Sequence, residues 1–326
     1  MDLTNETRNQ HFLPQVEQRL NAHNPDAPAS KQRIYAFKVI DREALTMQLE
    51  SKRGRSIANN LSFLDLFTFD TSFDTSERMN FESLFRQYEN QVASLTNSLL
   101  QKMETGQRDN TDEVVDLFAA KLLNFSRNPY SVTKVLNTFG VLADYRPTDP
   151  KKQRLFDRIV EGRKPQQAWL CAQLGLSDTD YVKWLKMLFM LFMEGTPSGE
   201  SMLDMTARSI FERKGHHAAV LISRYSKPGC LLSDRSFSTN IDRPDANGFD
   251  FNLSSRAFIR YLFIETDGVV PPAAPRHLVE MYRQQTHDVQ LMHFTDNEPL
   301  LKGFNRNVVY QCYSHVFCAI PEGIVL

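Results

Sequence analysis

The run His11-Phe-Leu-Pro14-Gln15-Val-Glu-Gln-Arg19 sets an imidazole, a rigid proline and a guanidinium close together near the amino terminus. Proline fixes its own φ and biases Leu13 toward extended backbone, so His11 and Arg19 stand on either side of a stiff corner. An imidazole there can carry a proton near neutral pH, and a guanidinium can grip a carboxylate or phosphate with two parallel hydrogen bonds. The corner is expected to dock against the carboxy-terminal third of the chain.

Other charged runs are less specific. Lys52-Arg-Gly-Arg55 is a short basic turn, a solvated loop by preference and a phosphate contact as the alternative. Between 146 and 164, Arg146, Lys151, Lys152, Arg154, Arg158, Arg163 and Lys164 outnumber Asp149, Asp157 and Glu161. This reads first as an exposed helix face; a nucleic-acid contact would want interleaved aromatics, which are missing. Glu265-Thr-Asp267 after a strand is similar to the acidic end of a metal-dependent nuclease strand, but without its usual lysine it reads as a strand-end turn. Phosphate-loop, dinucleotide, zinc-protease and nucleophile-elbow motifs are all absent. The 8 histidines show no zinc spacing with the 4 cysteines.

These groups must be held by a chain of 326 residues, enough to bury a full core. With 38 basic and 39 acidic residues the net charge is −1, so no global field pulls it to nucleic acid or anionic membrane. A 41% hydrophobic content argues for a packed fold, and only 13 glycines speak against glycine-rich nucleotide loops. The start lacks a basic, apolar signal pattern. The most apolar window, Tyr181 to Met193, is shorter than the about 20 residues a bilayer needs and is interrupted by Lys183 and Lys186. No membrane association is expected. Cys171, Cys230, Cys312 and Cys318 read as free thiols of a cytoplasmic protein.

The pattern predicts a strand at Ile34–Val39, then helices. Phe81, Leu84, Phe85, Tyr88, Val92, Leu95, Leu99 and Met103 recur at spacings of three and four and mark one apolar helix stripe. Asn110 to Glu113 caps a second helix that stops before Pro129, and Ser177 to Asp180 caps the apolar one. Ser198 or Ser201 starts another through Met202 to Phe211. After Gly215 the texture turns to strands at 218–223, 230–234, 258–264 and 315–320, with helices near 278–285 and 299–310 and a loop at Asp242–Gly248. The fold class is α+β: a helical bundle against a small mixed sheet of N- and C-terminal strands, in one domain over 1–326 (1–75 extended with a strand, 76–215 helical, 216–326 strand-rich).

His11, Pro14, Gln15 and Arg19 match the His-x-x-Pro-Gln and following basic residue of the bacterial and phage family called domain of unknown function 4238, which this chain resembles along nearly its whole length. A long helix bearing a glutamate corresponds to Glu89 after Tyr88, and the Arg-x-Pro ending the next helix to Arg127-Asn128-Pro129. Ser233-Asp234 corresponds to a Ser-Asp-Asn-Pro, here continued by Arg235-Ser236. Leu253-Ser254-Ser255-Arg256 corresponds to a Leu-Ser-Pro-Arg, here without its proline. Asn305 or Asn307 supplies the late helix asparagine. The resemblance implies a common fold without an established activity.

Taken as a set, these positions suggest a site. His11, Glu89 and Asp234 would be catalytic, with Glu89 or Asp234 as base, metal ligand or orienting partner of His11, and Arg19, Arg127, Arg256 and Asn305 would bind an anion; the cofactor is left open between none, Mg2+ and Mn2+. The expected function is a hydrolase on a phosphate-bearing substrate, a nuclease or nucleotide hydrolase, in phage defence or as a toxin; nucleic acid or nucleotide would then be the partner. The alternative is a protein-interaction module whose polar network merely holds the chain ends together.

Overall fold

The computed structural model describes residues 2–71, 77–106, 110–195, 199–240, 246–271 and 273–326. Strand β1 (Asn9–His11) and the short helix α1 (Gln15–Arg19) flank Pro14, whose φ of −52° and ψ of 139° make the expected corner. Strands β2 (Arg33–Asp41), β3 (Thr46–Leu49), β4 (Arg55–Ser56), β5 (Ser62–Leu64), β6 (Thr68–Thr71) and β7 (Arg78–Asn80) follow. Leu61, just before β5, and Asp65, in the turn from β5 to β6, both adopt positive φ.

The helical middle is α2 (Glu82–Glu104), α3 (Thr111–Ser126), α4 (Val132–Phe139), α5 (Pro150–Glu161), α6 (Gln167–Leu174), α7 (Asp178–Leu191) and α8 (Met202–Phe211). The α2 stripe buries Phe85, Tyr88, Val92 and Leu99, while Glu82, Arg86 and Glu89 recur at spacings of four and three along another strip of the same helix. Ser177 and Ser201 cap α7 and α8 through their hydroxyls, each accepting from the backbone N–H three residues on. Ser198, the other candidate start, lies outside the described residues.

The carboxy-terminal part holds β8 (His216–Arg224), β9 (Leu232–Ser233), β10 (Ser238–Asn240), β11 (Ala246–Ser254), β12 (Ala257–Glu265), α9 (Thr266–Val269), α10 (Arg276–Arg283), β13 (Gln290–Thr295), α11 (Glu298–Gln311) and β14 (His315–Cys318). Of the loop expected at Asp242–Gly248, residues 242–245 lie outside the described residues and the rest begins β11.

The fold is α+β, with one refinement of the expected sheet. β2 does pair with β14, with Ala36 opposite Phe317, in a sheet ordered β3-β2-β14-β9 with β4 on β2. Every pairing in it is antiparallel. The mixed sheet is a second one, β10-β11-β12-β8-β13, in which only β13 runs parallel to its neighbour. The larger hydrophobic cluster runs from Leu3 through Trp184 to Phe317 and draws on all three parts of the chain. A smaller one, including Phe37, Phe258, Phe304, Val308 and Val316, fills the space under α11. All four cysteines are free and buried. Among the described residues, no helix is long and apolar enough to cross a membrane.

Candidate functional site

β1 pairs with β5, setting His11 opposite Ser62, and α1 packs against α2. A cleft of about 480 Å³ lies between them, lined by His11, Gln15 and Arg19 on one side and Glu82, Arg86 and Glu89 on the other. Gln15 links the two ends of the corner. Its Oε1 accepts from Arg19 Nη2 at 2.5 Å, and its Nε2 makes a long 3.5 Å contact to His11 Nδ1. If the amide donates there, the proton of neutral His11 sits on Nε2.

Arg127 is the C-cap of α3 and stands behind the cleft, 0% exposed. Its Nη1 donates to Glu89 Oε1 at 2.7 Å, its Nη2 to Asn124 Oδ1 at 3.2 Å, and its guanidinium lies 4.8 Å from the centre of the Phe85 ring. The polar chain continues inward. Asn124 donates to Glu17, Glu17 pairs with Lys121 at 2.5 Å, and Lys121 also donates to the Asn252 carbonyl at 2.9 Å. Asn252 exchanges amide hydrogen bonds with Asn21. The end of the amino-terminal corner therefore does meet the carboxy-terminal part, through Asn21 and Asn252, while His11 itself faces α2 in the helical middle.

Electrostatics divide the cleft. Burial lowers the pKa of His11, with Glu89 and the Ile57 and Ala58 carbonyls pulling the other way and Arg127 reinforcing it. Burial pushes the Glu82 carboxyl up to about 7, aided by Glu89 and opposed by Arg127 and Arg86. Glu82 Oε1 and Arg19 Nε are buried without a hydrogen-bond partner. Leaving such a group unmade costs about 1–3 kcal/mol.

Three of the expected site residues lie elsewhere, two of them bracing the backbone and one exposed at a turn. Asp234 is buried and accepts backbone N–H bonds from Tyr313 at 2.7 Å, Ser314 at 2.7 Å and His315 at 2.8 Å. Burial raises its carboxyl, against the pull of those donors, and it lines a different cavity. Asn305, buried on α11, accepts from Leu231 N at 3.0 Å and donates to the Gly229 and Val325 carbonyls, each at 2.9 Å. Arg256 is exposed at the turn between β11 and β12, beside Arg224 and Glu104. The reason is common to the two buried groups: each satisfies backbone donors or acceptors that have no water within reach. Of the anion binders, Arg127 is committed to Glu89 and sealed from solvent, so Arg19 and the unanticipated Arg86 are the cations at the cleft.

No group of three or more His, Cys, Asp or Glu side chains among the described residues is spaced to hold a metal ion. In the basic segment, Arg146, Lys152 and Arg158 pair with Asp157, Glu194 and Asp70, which fits the solvated-face reading.

Sequence reasoning missed Glu82, although its place seven residues before Glu89 on α2 was a usable sign. It also missed the Glu17–Lys121 pair, where the sign was a lysine inside the apolar run Val114–Leu123. No family model, no curated protein and no solved structure matches the chain.

Proposed function

We propose that the cleft between the His11 corner and α2 binds a phosphate-bearing ligand and hydrolyses it, as a nuclease or nucleotide hydrolase. Arg19 and Arg86 meet the anion. Glu82, protonated below about pH 7, gives a proton to the leaving oxygen, and neutral His11 takes one from the attacking water at Nδ1, whose 3.5 Å contact to Gln15 is too long to hold the lone pair. Glu89, fixed by Arg127, orients the site. The observation that carries this reading is the pair of buried, unpartnered atoms, Arg19 Nε and Glu82 Oε1, on residues lining one cleft. A role in phage defence or as a toxin, and kinship with the family called domain of unknown function 4238 through His11, Glu89 and Arg127, belong to the same proposal.

A second reading is a protein-interaction module in which this network is purely structural. Its support is the burial of Arg127 and of the Glu17–Lys121 pair, which tie α2 and α1, respectively, to α3.

The two are separated by incubating wild type, His11→Ala and Glu82→Gln with single-stranded DNA, RNA and nucleoside triphosphates, with and without Mg2+ or Mn2+. A thermal-shift series with phosphate and nucleotides runs alongside. Turnover lost in both variants, together with stabilisation of wild type by the anion, supports the hydrolase. Absence of both effects, with His11→Ala lowering Tm, supports the structural reading.

A further inference from the structure

The last strand assembles a second constellation, independent of the His11 cleft. Ser314 Oγ lies 2.6 Å from His315 Nδ1, and His315 Nε2 lies 2.9 Å from Glu50 Oε1. Glu50 follows β3, and the β3-β2-β14 pairing delivers it to the side of β14. Arg55 Nη2 sits 2.6 Å from Glu50 Oε2 and 3.2 Å from His315 Nε2.

The protonation pattern follows from the partners. Burial raises the Glu50 carboxyl, but hydrogen bonds from His315 and Arg55 outweigh it and hold the group below its ordinary range. An ionised carboxylate only accepts, so in the tautomer that bonds Glu50 the proton of neutral His315 is on Nε2, and Arg55 Nη2, itself a donor, then binds Glu50 Oε2 and not the ring. Nδ1 then offers its lone pair to the Ser314 hydroxyl. Asp234 Oδ2, at 3.3 Å from Ser314 Oγ, is the weaker competing acceptor. Through its N–H bonds Asp234 also pins the backbone of Ser314 and His315. A hydroxyl against a base that a carboxylate orients is the arrangement that activates a serine nucleophile.

Ser314 and His315 border a cavity of about 540 Å³, with Phe63, Tyr130 and Phe317 as an apolar wall and Arg33 and Arg55 as cations. Tyr130 stacks on Tyr313 with ring centres 4.2 Å apart, which extends the flat surface outward. Such a lining suits an uncharged or singly anionic ester carrying a planar or apolar group.

We propose that Ser314 is a nucleophile, His315 its base and Glu50 the positioning residue of a site that hydrolyses small carboxylic esters. Ser314 Oγ bonds to the ester carbonyl carbon as its proton passes to His315 Nδ1. The bond to the alcohol oxygen then breaks, and His315 returns the proton to the departing alcohol. Water, deprotonated by the same nitrogen, attacks the acyl-serine, releasing the carboxylic acid and restoring the hydroxyl.

The test uses the full chain with p-nitrophenyl acetate and butyrate, and a fluorophosphonate probe followed by peptide mass mapping. The expected result is label on Ser314 and ester hydrolysis that falls at least about 100-fold in Ser314→Ala. Glu50→Gln should lower kcat with KM little changed. Label absent above the heat-unfolded background, label on another serine, or an unchanged rate in Ser314→Ala overturns the proposal. If Ser314→Ala fails to fold, Ser314→Cys reports instead. Its thiol should react with iodoacetamide near pH 7 faster than a free thiol in the unfolded chain, and equal or slower reaction overturns the proposal. Phosphoester turnover is read separately, so failure of either site leaves the other standing.

Discussion

Arg127 Nη1 donates to Glu89 Oε1 across 2.7 Å, joining a guanidinium with no solvent exposure to a carboxylate that is 27% exposed. The charge that fixes Glu89 is thus buried, while the carboxylate reaches the cleft. Behind Arg127, Asn124 and the Glu17–Lys121 pair continue the chain of polar contacts into the core. An uncompensated charge anywhere along it would be costly, so the network is expected to respond as a unit.

Lys121→Met should destabilise the protein by about 3–5 kcal/mol, because it strands Glu17 in the core. Adding Glu17→Leu should recover most of that loss, since an apolar pair of similar volume removes both desolvated charges. Urea denaturation of the two variants checks this, and a double variant no better than the single would refute it.

Glu82 gives a pH signature. Its carboxyl titrates near 7 in the folded protein against 4.5 as the ordinary value. The folded state therefore keeps a proton that the unfolded chain has lost, and this group's contribution falls as pH rises from 4.5 to about 7, then levels off. Glu82→Gln should match wild type near pH 4 and exceed its stability by about 1–3 kcal/mol at pH 8. Melts across that range decide it.

His11 has the opposite slope. Its pKa is lowered by burial from the ordinary 6.5, so as pH falls below that value the unfolded chain takes up the proton first and stability is lost. His11→Asn should flatten this part of the profile. An equally steep acid limb in the variant would show that His11 is not its source.

Asp234→Asn should cost about 1–3 kcal/mol, because one amide oxygen replaces two carboxylate oxygens that accept from Tyr313, Ser314 and His315. Hydrogen exchange at those amides should rise more than in α7. Unchanged protection at 313–315 would count against the bracing role.

The helices were legible because their signals are local. The apolar stripe of α2 and the hydroxyl caps of α7 and α8 need no partner to be recognised, and β2 and β14 announce themselves by β-branched and aromatic content. β11 was hidden by its own chemistry. Phe249, Phe251 and Leu253 alternate with Gly248, Asp250 and Asn252, residues that favour loops. Here Arg260 on β12 neutralises Asp250 through bonds of 2.6 and 2.7 Å, and Asn252 is absorbed into the buried amide cluster. β13 is mostly exposed, and its Leu291, Met292 and Phe294 do not alternate with polar residues, so no strand pattern marked it. For the cleft, His11, Arg19, Glu89 and Arg127 were found, but burial was not foreseeable, and burial is what withdraws Arg127 from ligand and turns Glu82 into an acid. Glu50 and His315 illustrate the limit: separated by 265 positions, they meet only through strand pairing.

That pairing also sets a timetable for synthesis. A ribosome releases β2 long before β14, so the edge that will receive His315 to Cys318 waits unpaired while the helical middle emerges. Apolar Ile34, Ala36 and Phe37 wait with it. Such a strand is a template for the wrong neighbour, another nascent chain included. Aggregation during translation should therefore concentrate at 33–41, and a holding chaperone that covers this segment should raise the yield of native protein more than one acting on the finished chain.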